Sequence, residues 1–101
     1  MNKELDLLQK IREQPGLYLG TKNLMYLHHF YGGYVFKTGE IILDYRYSLH
    51  GFDEYVHQYY NDISTNNWAG LIVERSSSQG EAFDKFYDLL DSFLGENAQN
   101  P

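Results

Sequence analysis

The last third of the chain carries the pattern that most limits the possible folds. Apolar residues recur there every three to four positions: Ala82, Phe83, Phe86, Tyr87, Leu90, Phe93 and Leu94. This spacing places their side chains on one face of an α-helix. Ser78-Gln79-Gly80-Glu81 fits a capping box at the start of that helix, and Gly95 is expected to end it. A long amphipathic helix must bury its apolar face, so the rest of the chain has to supply a matching core.

Four earlier segments show helical spacing and predict the elements of that core. They are 3–13 (Leu5, Leu8, Ile11), 24–37 (Leu24, Leu27, Tyr31, Tyr34, Val35), 52–61 (Phe52, Tyr55, Val56, Tyr59) and 68–76 (Trp68, Leu71, Ile72). Asn23 or Thr21 is placed to cap the second of these helices, and Asn67 to cap the fourth. The pair Gly32-Gly33 weakens the second helix by ~1 kcal/mol per glycine relative to alanine. Such a pair indicates either a close approach by another segment or a bend.

The connecting segments are less regular. Pro15 is expected to end the first helix, and 16–20 then reads as an extended connector whose Leu17, Tyr18 and Leu19 fill the core. Residues 41–47 contain β-branched and aromatic side chains, but no partner strand is evident, so we predict irregular structure or a short helix, with an extended segment as the alternative. The predicted fold is mainly α, a single compact domain of about five helices over 1–95. A disordered polar tail is expected over 96–101.

Length and composition support one folded domain. A chain of 101 residues is expected to bury roughly 65% of its unfolded surface, which is enough for a single core. Hydrophobic residues make up 43% of the chain and aromatic residues 17%, which is typical of globular rather than disordered proteins. Because cysteine is absent, disulfides, thiolate metal sites and a thiol nucleophile are excluded. The first residues lack a signal pattern and no apolar run is long enough for a membrane span, so a cytoplasmic location is expected.

Charge is divided unevenly along the chain. The net charge is −6, and residues 51–101 carry two Lys/Arg against nine Asp/Glu, whereas residues 1–50 carry six against five. An acidic half repels phosphate backbones and attracts basic surfaces. The sequence therefore argues against direct nucleic-acid binding and favours a basic protein partner.

The candidates for chemistry are weak. Of the four histidines, His28 and His29 are neighbours that point to different helix faces. His50 and His57 each have a carboxylate within three positions, but helical di-metal sites draw carboxylates from several helices. The serines at 76–78 are explained by the helix cap that follows them. We therefore predict no catalytic residue, no metal, no cofactor and no enzymatic activity. An enzyme with a His/carboxylate site ranks third, after the two functions given below.

The order of aromatic and glycine landmarks resembles a set of small bacterial proteins. The landmarks are the first helix, the stretch Arg12-Glu13-Gln14-Pro15-Gly16-Leu17-Tyr18-Leu19-Gly20, then Gly32-Gly33-Tyr34, Phe52-x-x-Tyr55-Val56, Trp68, and Glu81 to Leu94. Over nearly the whole chain this order is similar to that of immunity proteins encoded beside secreted polymorphic toxins, including contact-dependent growth inhibition systems. Gln14 stands where such proteins often have arginine. The resemblance implies a shared fold and a role in neutralising a cognate toxin domain. It transfers no binding residue, because these proteins diverge fastest where they touch the toxin.

Acidic and tyrosine residues on two helices form the predicted contact surface. They are Asp53, Glu54, Tyr59, Tyr60 and Asp62 on the third helix, with Asp84, Asp88 and Asp91 on the last. Such a surface is expected to dock on the cationic active site of a nuclease-type toxin and exclude its substrate. For any single carboxylate, a solvated helix face is the competing interpretation. The alternative function is a small cytoplasmic adaptor or regulator without enzymatic activity.

Overall fold

The amphipathic segments form helices in the computed structural model, which describes residues 3–38 and 51–99. The helices are α1 (Lys3–Glu13), α2 (Pro15–Leu19), α3 (Leu24–Thr38), α4 (Phe52–Tyr60), α5 (Trp68–Glu74) and α6 (Gln79–Gln99). Helix is the only regular secondary structure within those two ranges. The prediction of a mainly α, compact domain is confirmed. Residues 41–47 lie outside the described residues.

Three predicted caps hold the helix starts. The Asn23 side chain accepts a hydrogen bond from the backbone N–H three residues later (3.1 Å), at the start of α3. Asn67 does the same for α5 (2.7 Å), and Ser78 for α6 (3.1 Å). Each bond satisfies an N–H that the helix itself leaves unpaired, and such a cap stabilises a helix by ~1 kcal/mol.

The segment expected to be an extended connector is instead a single helical turn, α2. Pro15 occupies its first position, where the fixed proline φ suits a helix and the missing N–H is not needed. Gly20 follows in the left-handed conformation (φ 83°) and donates its N–H to the Gly16 carbonyl oxygen. Tyr18 and Leu19 pack against the core as expected. The prediction for Leu17 is wrong, since its side chain is 73% exposed.

The predicted end of the last helix is also wrong. Gly95 keeps a helical conformation, and α6 continues to Gln99. A glycine inside a helix destabilises it by only ~1 kcal/mol relative to alanine, so a helix can continue through a glycine. The segment predicted as a disordered tail, 96–101, therefore overlaps the end of α6.

An aromatic cluster forms the centre of the core and joins α4 to α5 and α6. Phe52 of α4 is fully buried. Its ring centroid lies 5.4 Å from that of Trp68, 5.6 Å from that of Phe86 and 5.4 Å from that of Phe93. Edge-on aromatic contacts at such distances add to the free energy of burying the rings. The predicted apolar face of α6 is thus confirmed.

The first and third helices complete the core from the other side. Leu8 and Ile11 of α1 are buried, and the Tyr87 hydroxyl of α6 donates a hydrogen bond to the Leu8 carbonyl oxygen (2.6 Å). This bond ties the first helix to the last.

In α3 the pair Gly32-Gly33 is exposed, and nothing lies within 4 Å of the position a Cβ would take at either residue. Of the two alternatives predicted for this pair, a close approach by another segment is not found among the described residues.

Candidate functional site

The predicted contact residues fall into two groups, one on α4 and the loop after it, the other on α6. On α4, Asp53 and Glu54 are exposed in the first turn, where carboxylates are favoured by the helix dipole. Tyr59 is 51% exposed at the other end of the helix, so its predicted burial on the inward face is wrong, and its ring is accessible to a partner. Exposed carboxylates at the start of α4 and an exposed aromatic ring near its end are thus both accessible to a partner.

His57 organises the acidic end of α4. Its Nδ1 atom lies 2.8 Å from the Asp53 carbonyl oxygen and 3.4 Å from the Asp53 carboxylate. The hydrogen bond to the backbone carbonyl raises the pKa of His57, and the carboxylate charge adds to this effect. Glu54 accepts a hydrogen bond from Gln58 on the next turn (3.4 Å). Neither carboxylate is neutralised by a lysine or arginine among the described residues.

Tyrosines and the two cations of the acidic half meet where α4 ends. Lys85 of α6 donates a hydrogen bond to the Tyr59 hydroxyl (2.6 Å), and its ammonium lies 4.6 Å from the Tyr59 ring centroid. That hydrogen bond raises the pKa of Lys85. The Arg75 guanidinium lies 5.4 Å from the ring centroid of Tyr60, and burial raises the pKa of that tyrosine. Both cations are therefore held against aromatic rings.

Asp62 differs from the other predicted contact residues because its carboxylate has structural partners. The side chain is only 14% exposed and forms an ion pair with Arg75 (3.2 Å). Hydrogen bonds from the hydroxyl and the backbone N–H of Ser64 lower the pKa of Asp62. A carboxylate so engaged shapes the loop rather than facing a partner freely.

Two of the three predicted carboxylates on α6 are paired across the fold. Asp91 receives two hydrogen bonds from the Arg12 guanidinium of α1 (3.1 and 2.9 Å). Asp84 lies 2.8 Å from the Lys22 ammonium in the α2–α3 connection. Asp88 is exposed and has no ion pair among the described residues. From the sequence, the three were predicted to belong to the same contact surface. Of the three, only Asp88 has no ion pair among the described residues.

A groove runs between α6 and the α1–α2 region. It has a volume of about 510 Å³ and is lined by Arg12, Pro15, Lys22, Phe83, Asp84, Tyr87 and Asp88. Phe83 and Tyr87 are buried and form the floor. The Arg12 guanidinium lies 5.1 Å from the ring centroid of Tyr87, and the Lys22 ammonium lies 5.9 Å from that of Phe83. Burial also raises the pKa of Tyr87. Since both cations are already paired with carboxylates and rings, the groove offers no unpaired cation to an anion.

Two of the side chains considered for chemistry, His28 and Ser76, have local contacts within the fold. The Nδ1 atom of His28 is buried and has no hydrogen-bond partner among the residues that the structure describes, and its ring meets that of Trp68 edge-on at 5.1 Å. Burial lowers the pKa of His28. Within 3–38 and 51–99, no three histidine or carboxylate side chains converge on a point where a metal ion could bind; His50 lies outside these ranges. The Ser76 hydroxyl donates to the Ile72 carbonyl oxygen (2.7 Å).

Sequence reasoning missed several exposed apolar side chains. Ile63 is fully exposed at 101%, Tyr26 is 54% exposed and Phe30 is 39% exposed. For Tyr26 and Phe30, no signal in the sequence separates an exposed position on an apolar helix from a buried one. Ile63 did carry a signal, because it is a single apolar residue in the polar run Asn61-Asp62-Ile63-Ser64-Thr65-Asn66-Asn67. An apolar residue in such a run cannot serve helical packing.

Comparison with known proteins gives no family assignment. No protein-family model, no curated protein and no solved structure matches the chain. None of the described helices is both long enough and apolar enough to cross a bilayer.

Proposed function

We propose that this protein works by binding a basic partner protein, and that it is an immunity protein that neutralises a cognate toxin domain in the cytoplasm. The proposal assigns it no chemistry of its own. The observation that carries it is the exposure of α4, with the carboxylates of Asp53 and Glu54 in its first turn and the half-exposed ring of Tyr59 near its end. Tyrosine next to charge is typical of protein contact surfaces, since the ring provides buried area and the hydroxyl a polar contact.

The charge distribution supports a cationic partner. Residues 51–101 contain nine carboxylates and two cations. Lys85 is bonded to Tyr59, and Arg75 is bonded to Asp62, so neither cation opposes the carboxylates at the start of α4. Complementary charge mainly raises the association rate, and exposed charges act over ~10 Å at 0.1 M ionic strength. A basic toxin active site covered by this surface would be closed to its substrate.

Ion pairs within the fold leave fewer of the predicted contact residues on α6 available to a partner. Asp84 and Asp91 each hold an ion pair with another part of the fold, so a partner cation would have to compete with Lys22 or Arg12. Asp88 forms no ion pair among the described residues, and only the longer-range charges of Arg12 and Lys85 act on it. The proposed contact is therefore centred on α4, with Asp88 as the contribution of α6.

Charge neutralisation on α4 tests the proposal. Asp53→Asn with Glu54→Gln removes two carboxylates, and Asp6→Asn with Glu13→Gln on α1 is the matched control for net charge. Each variant would be co-expressed with the toxin domain encoded by the adjacent gene, with growth as the readout and stopped-flow binding at two salt concentrations as the rate measurement. We expect slower association and weaker protection for the α4 variant only, because its charges face the partner.

Two results would count against the proposal. If both variants associate at equal rates, the α4 carboxylates are only a solvated helix face. If the adjacent gene encodes no toxin, or its product does not bind, the immunity role is abandoned and an adaptor role takes its place. Thermal melts of both variants serve as the folding control.

A further inference from the structure

The loop between α4 and α5, residues 61–67, is held by hydrogen bonds on both sides. Asn61 adopts the left-handed conformation (φ 54°) and its N–H returns to the Gln58 carbonyl oxygen (3.1 Å), which closes α4. The Asp62 carboxylate then accepts the Ser64 N–H at 2.7 Å and an Arg75 N–H at 3.2 Å. The first half of the loop is thus fixed to the end of α5.

The second half of the loop is braced in the same way. The Asn66 side chain donates to the Glu74 carboxylate at the end of α5 (2.9 Å), while its backbone N–H donates to the Ser64 hydroxyl (3.4 Å). Asn67 caps the start of α5. The loop therefore has a defined conformation, although none of its side chains enters the core.

Ile63 lies between these two braced halves, and its side chain is fully exposed at 101%. An isoleucine in this position gains nothing from folding, because its apolar surface remains in water. The same side chain inserted into an apolar pocket of another protein would gain that burial. Because the loop is already ordered, little further conformational entropy would be lost on binding.

The charges around the loop indicate which partner surface fits. The unit formed by α4, the loop and α5 (residues 51–76) contains four carboxylates and one arginine, a net charge of −3 with histidine neutral. That arginine is bound to Asp62 inside the unit. A partner pocket rimmed by lysine or arginine is therefore favoured over an acidic one.

We propose that Ile63 is the apolar anchor of the contact, inserting into an apolar pocket on the basic surface of the partner protein. This inference rests on the proposed function and names the contact through which it would act. The anchor and the carboxylates of α4 are expected to affect different rates. Burial of the anchor slows dissociation, whereas complementary charge speeds association.

The test compares two exposed residues of similar size, using the purified toxin domain encoded by the adjacent gene as the probe. Ile63→Ala is expected to raise the dissociation constant by about 10- to 100-fold, mostly through faster dissociation, as for a typical anchor residue. Leu17→Ala, on α2, is the control, since Leu17 is 73% exposed but lies outside the proposed contact. We expect it to change the dissociation constant by less than about 2-fold. Neither residue packs in the core, so both variants should melt with the wild type.

A second variant tests the role of the braced loop. Asn66→Ala removes the hydrogen bond to Glu74 without removing Ile63 or any charge. We expect an intermediate loss of affinity, about 3- to 10-fold, because part of the loop must then be ordered during binding. Placing p-benzoylphenylalanine at position 63 should also give a light-dependent crosslink to the purified toxin domain, whereas the same group at position 17 should not.

The outcomes separate this inference from the proposed function. If Ile63→Ala binds as tightly as wild type while neutralising Asp53 and Glu54 slows association, the anchor is refuted and the charge surface stands. If Ile63→Ala and Leu17→Ala weaken binding equally, the loop has no special role and the anchor is likewise refuted. If the wild-type protein does not bind the toxin domain at all, both proposals are overturned together.

Discussion

Phe52→Ala is the substitution that should damage this fold most clearly. The ring of Phe52 is fully buried and contacts aromatic rings from both α5 and α6. Truncating a buried phenylalanine costs the burial of its ring and leaves a cavity, together ~3–5 kcal/mol. Domains of this size are stable by only ~5–15 kcal/mol, so the variant would lose a large share of its free energy of unfolding.

The measurement is urea unfolding followed by circular dichroism. With a loss of ~4 kcal/mol and an m-value of ~2 kcal/mol/M, the urea midpoint should fall by about 2 M. The melting temperature should fall by about 15–30 °C, since each kcal/mol corresponds to ~4–8 °C at this chain length. An unchanged m-value would show that the loss is one of stability rather than of two-state behaviour.

Tyr59→Ala is the matched control, being an aromatic-to-alanine change on the same helix. Tyr59 is half exposed and loses mainly its hydrogen bond from Lys85, so we expect about 1 kcal/mol or less. The two substitutions carry the same change in helix propensity, which cancels in the comparison. Equal losses at positions 52 and 59 would refute the orientation of α4 described above.

Two further predictions concern titration and ion pairing. Burial lowers the pKa of His28 in the folded protein below the 6.5 of a free histidine. As the pH falls, the unfolded chain therefore binds this proton before the folded protein does. The free energy of unfolding contributed by neutral His28 thus falls as the pH drops below 6.5. His28→Gln should therefore lose less stability than wild type between about pH 7 and pH 5 in urea titrations, with His57 present in both proteins; parallel curves would contradict this. A double-mutant cycle of Arg12→Ala and Asp91→Ala should give a coupling of about 0.5–1 kcal/mol that shrinks in salt, because the two side chains are 37% and 55% exposed. A coupling several times larger and insensitive to salt would mean that the pair is far less solvated than its exposure indicates.

Local signals in the sequence predicted much of the fold. Asn23, Asn67 and Ser78 are caps because their short polar side chains reach a backbone N–H within the same few residues. The α2 turn was missed because Pro15 and Gly20 suit either a connector or the two ends of a helix. Their local preferences are the same in both cases, and packing decides between them.

The candidate site was harder to predict because it depends on which helices meet. Arg12 and Asp91 are 79 positions apart, and nothing in the sequence of α6 shows that Asp91 is paired while Asp88 is not. Tyr59 has the spacing of an inward residue, but α4 is short and its last turn extends past the aromatic cluster. A period of 3.6 identifies a face of a helix, not the length over which a neighbour covers that face.

The position of α6 in the chain affects how the protein is made. Its apolar face packs against α3, α4 and α5, and its Tyr87 and Asp91 hold α1. Since synthesis runs from the N-terminus, the other described helices leave the ribosome before α6 can cover the parts of α3, α4 and α5 that pack against it. Folding to the native state therefore has to wait for the end of translation of this segment. A ribosome that stops before residue 79 releases a chain without this cover, open to proteolysis and aggregation.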